Sequence, residues 1–83
     1  MTQIQMYGTS WCPDCLKAKQ IFNKHNVTYA WHDIEQDEQA RLFVEKVNSG
    51  LQSVPTIVFP DGSILVEPSD AVLEKKVSVA AEA

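Results

Sequence analysis

The chain holds two cysteines among its 83 residues, Cys12 and Cys15, in the run Cys12-Pro13-Asp14-Cys15. Proline is favoured at the first position of a helix, where its missing N–H would be unpaired in any case and its fixed φ already suits the helix. A helix that begins at Pro13 makes Cys12 the N-cap and sets Cys15 one turn further on, on the same side and close enough for a disulfide. The Cys12 sulfur then takes the N-cap acceptor position, facing free N–H groups and the positive end of the helix dipole. Such a setting lowers a thiol pKa from ~8.5 into the range of roughly 3.5 to 7.5. Cys12 is therefore the expected attacking thiolate. Cys15, inside the helix, is expected to be less exposed, to keep a higher pKa and to resolve the mixed disulfide that Cys12 forms, an outside thiol being the other route. Asp14 suits the helix dipole but repels charge on the nearby sulfur, so it is expected to moderate the fall in pKa and shift the redox poise.

Other readings of these residues stand beside that one. A C-x-x-C is also half of a zinc site, but the other half needs a Cys or His pair at ligand spacing. His25 and His32 are seven residues apart, on different expected elements, and read as a helix-end and a strand residue. Two cysteines are too few for the disulfide framework of a small secreted domain. Trp11 is either a core aromatic or a flat apolar wall for a docking substrate. Pro55, after Val54, cannot donate to a sheet ladder, so it belongs at a strand's first residue or in a cis turn.

The elements that must position these residues follow from patterning. Residues 3 to 7 alternate polar with apolar before Gly8-Thr9-Ser10 and read as a strand. From Pro13 to about His25, Cys15, Ala18 and Phe22 recur at helical spacing beside Leu16 and Ile21, with Asn26 as a left-handed stop. Val27 to Ile34 is rich in β-branched and aromatic residues and reads as a second strand. The acidic run Asp33, Glu35, Asp37 and Glu38 suits a helix start, and Ala40, Phe43, Val44 and Val47 mark the apolar face of a second helix that Gly50 ends. Strands Thr56–Phe59 and Ile64–Val66 flank Pro60-Asp61-Gly62-Ser63, a hairpin turn by its chemistry. Ser69-Asp70 caps a last helix carrying Val72, Leu73 and Val77, with an alanine-rich end expected to fray. This order predicts an α/β fold: a mixed four-stranded sheet with helices on both faces.

Bulk properties set the outer bounds. The length fits one domain, residues 1–83. The apolar content of 45% and charged content of 22% are those of a chain that folds alone. A net charge of −4, with seven scattered lysines and arginines, argues against nucleic acid as a partner. The start Met1-Thr2-Gln3-Ile4-Gln5-Met6 lacks the charged and apolar runs of a signal peptide, and no apolar stretch approaches the roughly 20 residues of a membrane span. A cytoplasmic location is expected, and a monomer.

Taken together, Tyr7-Gly8-Thr9-Ser10-Trp11-Cys12-Pro13-Asp14-Cys15, Asp33-Ile34-Glu35, Ser53-Val54-Pro55-Thr56, Phe59-Pro60-Asp61-Gly62-Ser63 and Pro68-Ser69-Asp70 resemble the glutaredoxin family, its mycoredoxin branch above all. The resemblance spans nearly the whole chain. It implies a thioredoxin fold with sheet order 2-1-3-4, three helices and a cis Pro55 opposite the cysteine pair. It further implies that Val54 offers its backbone to an extended substrate or small thiol, and that Ser69 and Asp70 hold the far end of that thiol at a helix N-terminus. The implied activity is reduction of mixed or protein disulfides, with mycothiol or glutathione as co-substrate, disulfide-bearing proteins as clients and no bound cofactor. Many glutathione-using members have Tyr in place of Asp14, Gly-Gly near Val66-Glu67 and a Lys shortly before the first cysteine. One alternative is a thioredoxin-like reductant recharged by a flavoprotein reductase. Another is an iron–sulfur carrier, against which Pro13 and Cys15 weigh, and a third is a redox-inert binding module using the Val54-Pro55 groove.

Overall fold

Ile4, Met6 and Gly8 alternate with Gln5 and Tyr7 along the first strand, β1 (Ile4–Gly8), and this alternation divides the molecule into two apolar layers. The computed structural model describes residues 3–82. The expectations for Met1 and Thr2, and for fraying at Ala83, lie outside the described residues. β1 runs parallel to β2 (Tyr29–Asp33) and antiparallel to β3 (Thr56–Val58), which pairs antiparallel with β4 (Ile64–Val66). The sheet order is β2-β1-β3-β4, as expected.

Helix α1 (Pro13–Lys24) and helix α3 (Asp70–Glu82) share one layer. Cys15, Ala18, Ile21 and Phe22 of α1 meet Leu73 and Val77 of α3 over Ile4, Met6, Ile57 and Phe59. Helix α2 (Glu38–Val47) lies on the other face, where Ala40 and Val44 close on Ile34 with Tyr7 and Val54 alongside. Burial of these faces supplies the main driving force for the fold. Lys24 and His25, at the end of α1, both reach Glu74 of α3 and tie the two helices.

Local chemistry sets the element ends. The Asp37 carboxylate accepts from the Ala40 amide at 3.2 Å and starts α2. Ser69 Oγ accepts from the Val72 amide at 3.2 Å and starts α3. Asn26, at φ 55°, stops α1, and Ser49 (φ 56°) and Gly50 (φ 93°) turn the chain after α2. Asp61 Oδ1 accepts from the amide and the hydroxyl of Ser63 in the β3–β4 turn, with Gly62 at φ 90°.

Several boundaries differ from the sequence reading. Strand β2 begins at Tyr29 and not Val27, because the Val27 amide closes the end of α1 by donating to the Phe22 carbonyl at 3.0 Å. Phe59 falls outside β3 because its amide donates to the Ser63 carbonyl across the hairpin. Val72 is half exposed, since a helix capped at Ser69 turns Leu73 and Val77 inward instead. Helix α3 continues through the alanine-rich stretch to Glu82.

Candidate active site

Cys12 occupies the N-cap of α1 with extended backbone (φ −75°, ψ 119°), and its sulfur accepts from the Cys15 amide at 3.3 Å. Both thiols are free. Cys15 is fully buried, whereas Cys12 keeps 6% of its surface. The first cysteine is therefore reached through a narrow opening, and the second lies behind it. Burial pushes the Cys15 thiol up to about 12, helped by the hydrogen bond and charge of Cys12 and opposed by the Thr9 backbone amide and by Lys19. Cys15 thus holds its proton at neutral pH.

The backbone passes very close to the buried thiol. A Cβ on Gly8 would stand 2.5 Å from Cys15 Sγ and 3.0 Å from Cη2 of Trp31, so only glycine fits there. Next to it Thr9 is buried, and its hydroxyl is the one buried side-chain polar atom without a partner among the described residues.

Trp11 is 65% exposed and is not a core aromatic. Its indole Nε1 donates to Glu35 Oε1 at 3.0 Å, which holds the ring at the surface beside Cys12. Pro13 and Asp14 form the exposed first turn of α1. The Val54–Pro55 bond is cis. Pro55 is buried, and Val54 is half buried against both apolar clusters, the larger of which contains Cys12 and Cys15. The register that pairs Tyr7 with Thr56 sets Pro55 beside Gly8, just before the cysteine loop. Ser69 and Asp70 are exposed at the start of α3, and Asp70 lies 3.5 Å from Lys17 of α1. The fold therefore joins Trp11 to Cys15 in one loop and helix start, packs Val54 against the same cluster, and links Asp70 to it through Lys17.

Gly8, Trp31, Lys19 and Glu35 also belong to this neighbourhood; Gly8 and Glu35 lie within the motifs that carry the resemblance, whereas Trp31 and Lys19 carry no mark in the sequence as site residues. The histidines are engaged elsewhere, His25 with Glu74 and His32 with Gln5. Among the described residues no group of three or more His, Cys, Asp or Glu is placed to hold a metal, and no helix is long and apolar enough to cross a membrane.

A mixed sheet in this order, with a thiol pair at the start of its first helix and a cis proline leading into the third strand, defines a thioredoxin-like protein of the thiol–disulfide class. Among solved structures it is similar to the thioredoxin-like protein BC3987 (TM-score 0.76, 27% identity, covering 88% of this chain and 97% of that one). It is also similar to a glutaredoxin from Archaeoglobus fulgidus (TM-score 0.71, 28% identity, 90% and 85% covered). The Glutaredoxin family model matches residues 4–64. A Mycobacterium tuberculosis protein named as a glutaredoxin, Rv3198A, is 42% identical over 78 residues, 93% of each chain. Mycoredoxin 1 of Corynebacterium glutamicum is 32% identical over 81 residues, 98% of this chain and 100% of the relative. The chain belongs to the glutaredoxin family and is a thiol oxidoreductase in that general sense.

Proposed function

We propose that this chain, acting as a single monomeric domain in the cytoplasm, reduces mixed disulfides or protein disulfides through Cys12 and Cys15. A small thiol, mycothiol or glutathione, recharges it, and it needs no bound cofactor. The observation that carries this reading is the Cys12 sulfur at the α1 N-cap, accepting from the Cys15 amide with the Cys15 thiol protonated behind it. The Cys12 thiolate attacks one sulfur of the substrate disulfide, a new S–S bond forms, and the other sulfur leaves as a thiolate that takes a proton from water. The small thiol, or Cys15, then displaces the group held on Cys12. Trp11 serves as the wall against which the substrate docks, Val54 offers its backbone beside Pro55, and Ser69 and Asp70 grip the far end of the thiol. Pro13 and Asp14 shape the helix start.

Charge favours mycothiol of the two thiols. Asp14 follows Cys12 by two residues and Glu35 is bonded to the adjacent Trp11, so two carboxylates flank the cysteine, whereas Asp70 and Lys17 pair with one another. Glutathione is a net anion, whereas mycothiol is a neutral sugar-based thiol, so the acidic rim repels the first and tolerates the second. The likeness to a mycoredoxin supports the same choice. The likeness to a thioredoxin-like protein favours a second reading, in which a flavoprotein reductase supplies the electrons.

Turnover of mycothiol- and glutathione-mixed disulfides, each with its own thiol and reductase, tests these readings on wild type, Cys12→Ser and Cys15→Ser. Loss of activity in Cys12→Ser, its retention in Cys15→Ser and a preference for mycothiol are expected. A requirement for both cysteines, with a flavoprotein reductase as the sole effective donor, would replace this reading by the second.

A further inference from the structure

If Cys15 closes on the mixed disulfide, its proton must leave a fully buried side chain by way of the opening at Cys12, the one of the pair that keeps exposed surface. Burial and the neighbouring Cys12 both hold that proton on. The groups that act on Cys15 come from three elements. Helix α1 and its cap bring Cys12 and Lys19, the end of β1 brings the Thr9 amide, and β2 brings the uncharged ring of Trp31. Lys19 is the one cation among them.

Its position is built and not incidental. Lys19 follows Cys15 by one helical turn, on the same face of α1. Its Nζ sits 3.5 Å from the centroid of the Trp31 ring, a cation–π contact that fixes an otherwise mobile stem. The six-membered edge of that ring packs against Gly8 at the spot that is itself 2.5 Å from Cys15 Sγ. Ammonium lies on the indole, and indole and thiol both lie against Gly8. Two other lysines of α1 are engaged elsewhere, Lys17 with Asp70 and Lys24 with Glu74, and among the described residues no carboxylate pairs with Lys19.

We propose that Lys19, held on the face of Trp31, is a positioning residue for the resolving step, its ammonium stabilising the Cys15 thiolate as that sulfur attacks Cys12. This rests on the reading of Cys15 as a resolving thiol. In the step, the Cys15 proton passes to solvent and its sulfur lone pair attacks Cys12 Sγ of the mixed disulfide. The Cys12–Cys15 bond forms, the bond from Cys12 to the substrate sulfur breaks, and the departing thiolate takes up a proton. Cys15 is oxidised, the substrate sulfur is reduced and Cys12 stays at the disulfide level, so no further oxidant or reductant enters.

Reduced protein mixed with dithiobisnitrobenzoate in a stopped-flow cell separates the two events. A first release of nitrothiobenzoate reports attack by Cys12, and a second reports closure by Cys15. The Lys19 charge lowers the Cys15 pKa but is the weakest of the influences on it, so its removal is expected to change the thiolate fraction only by about twofold to threefold. Lys19→Met is therefore expected to slow the second release about twofold to threefold at neutral pH and to move its pH profile upward, leaving the first release unchanged. Lys19→Arg should restore most of the rate, and Lys24→Met should behave as wild type. An unchanged second phase in Lys19→Met, or a slowing with no displacement of the pH profile, would overturn the proposal alone. Absence of any second release from the wild type would overturn the resolving reading of Cys15 and the proposal with it.

Discussion

Replacing Gly8 by alanine tests the close approach on which the whole site depends. The added Cβ would lie 2.5 Å from Cys15 Sγ and about 3 Å from two atoms of the Trp31 ring. Non-bonded heavy atoms sit comfortably at roughly 3.5–4.0 Å, so the sulfur contact is short by about 1 Å and the ring contact by about 0.5 Å. The strand cannot shift to relieve this, because β1 is paired on both sides, Gly8 with Asp33 of β2 and Tyr7 with Thr56 of β3. Overpacking of this kind costs typically ~1–3 kcal/mol. The lower entropy of the unfolded chain with alanine returns about 0.4–1 kcal/mol. The net expectation is a loss of ~1–2 kcal/mol, or a fall in Tm of about 5–15 °C for a domain of this size. Guanidinium unfolding of the reduced protein measures it. The same substitution in a Cys15→Ala background, where the sulfur is gone, should cost less than about half as much, since the two positions are in direct contact. A neutral or stabilising Gly8→Ala, or an equal loss in both backgrounds, would refute the packing described here.

Two expectations concern pH. The Cys15 pKa is raised on folding to about 12, so its contribution to stability is complete below the unfolded value and is lost as pH rises toward the folded one. Reduced wild type should therefore lose more stability than Cys15→Ala between about pH 8 and pH 10, a window set by the unfolded thiol pKa of ~8.5, and parallel curves in urea unfolding would contradict this. Asp61 shows the opposite sign. The Lys76 ammonium first, then the hydroxyl and amide of Ser63, hold its carboxyl well below the usual range. Its stabilising effect is present above the unfolded carboxylate pKa of ~3.9 and is lost as pH falls below it, so Asp61→Asn should be less stable than wild type at neutral pH and converge with it in acid. A difference that persisted unchanged in acid would show that the Lys76 pairing is not its source.

The features legible in the sequence are those set by near neighbours. Pro13 after Cys12 announces a helix start, and the structure has the sulfur as its cap. Ser69 caps α3 and Asp37 caps α2, each through its own side-chain oxygen. Asn26, expected to stop a helix, and Gly62, expected in the hairpin turn, both take positive φ. Strand ends were less legible, because Val27 and Phe59 have strand-forming side chains but spend their amides on the end of α1 and on the hairpin. Glu67 adopts φ 47° just after β4 and donates its amide to the Pro55 carbonyl at 2.9 Å, a tie that no local pattern announces.

By itself, then, the sequence determined the order of elements, the caps, the alternation that gives each strand its buried face and the spacing that sets one thiol at a helix start with the other a turn behind. These depend on residues within about four positions of one another, where side-chain type and backbone geometry decide. Tertiary structure alone decided how deeply each thiol is buried and what surrounds it. The parallel register that sets Met6 beside Trp31 brings the indole to Gly8 and Cys15, and the fold brings Glu35 to Trp11 and Glu74 to the end of α1. Such contacts join residues many positions apart in the chain. Their strength comes from desolvation and exact fit, which exist only once the sheet and helices have closed on one another.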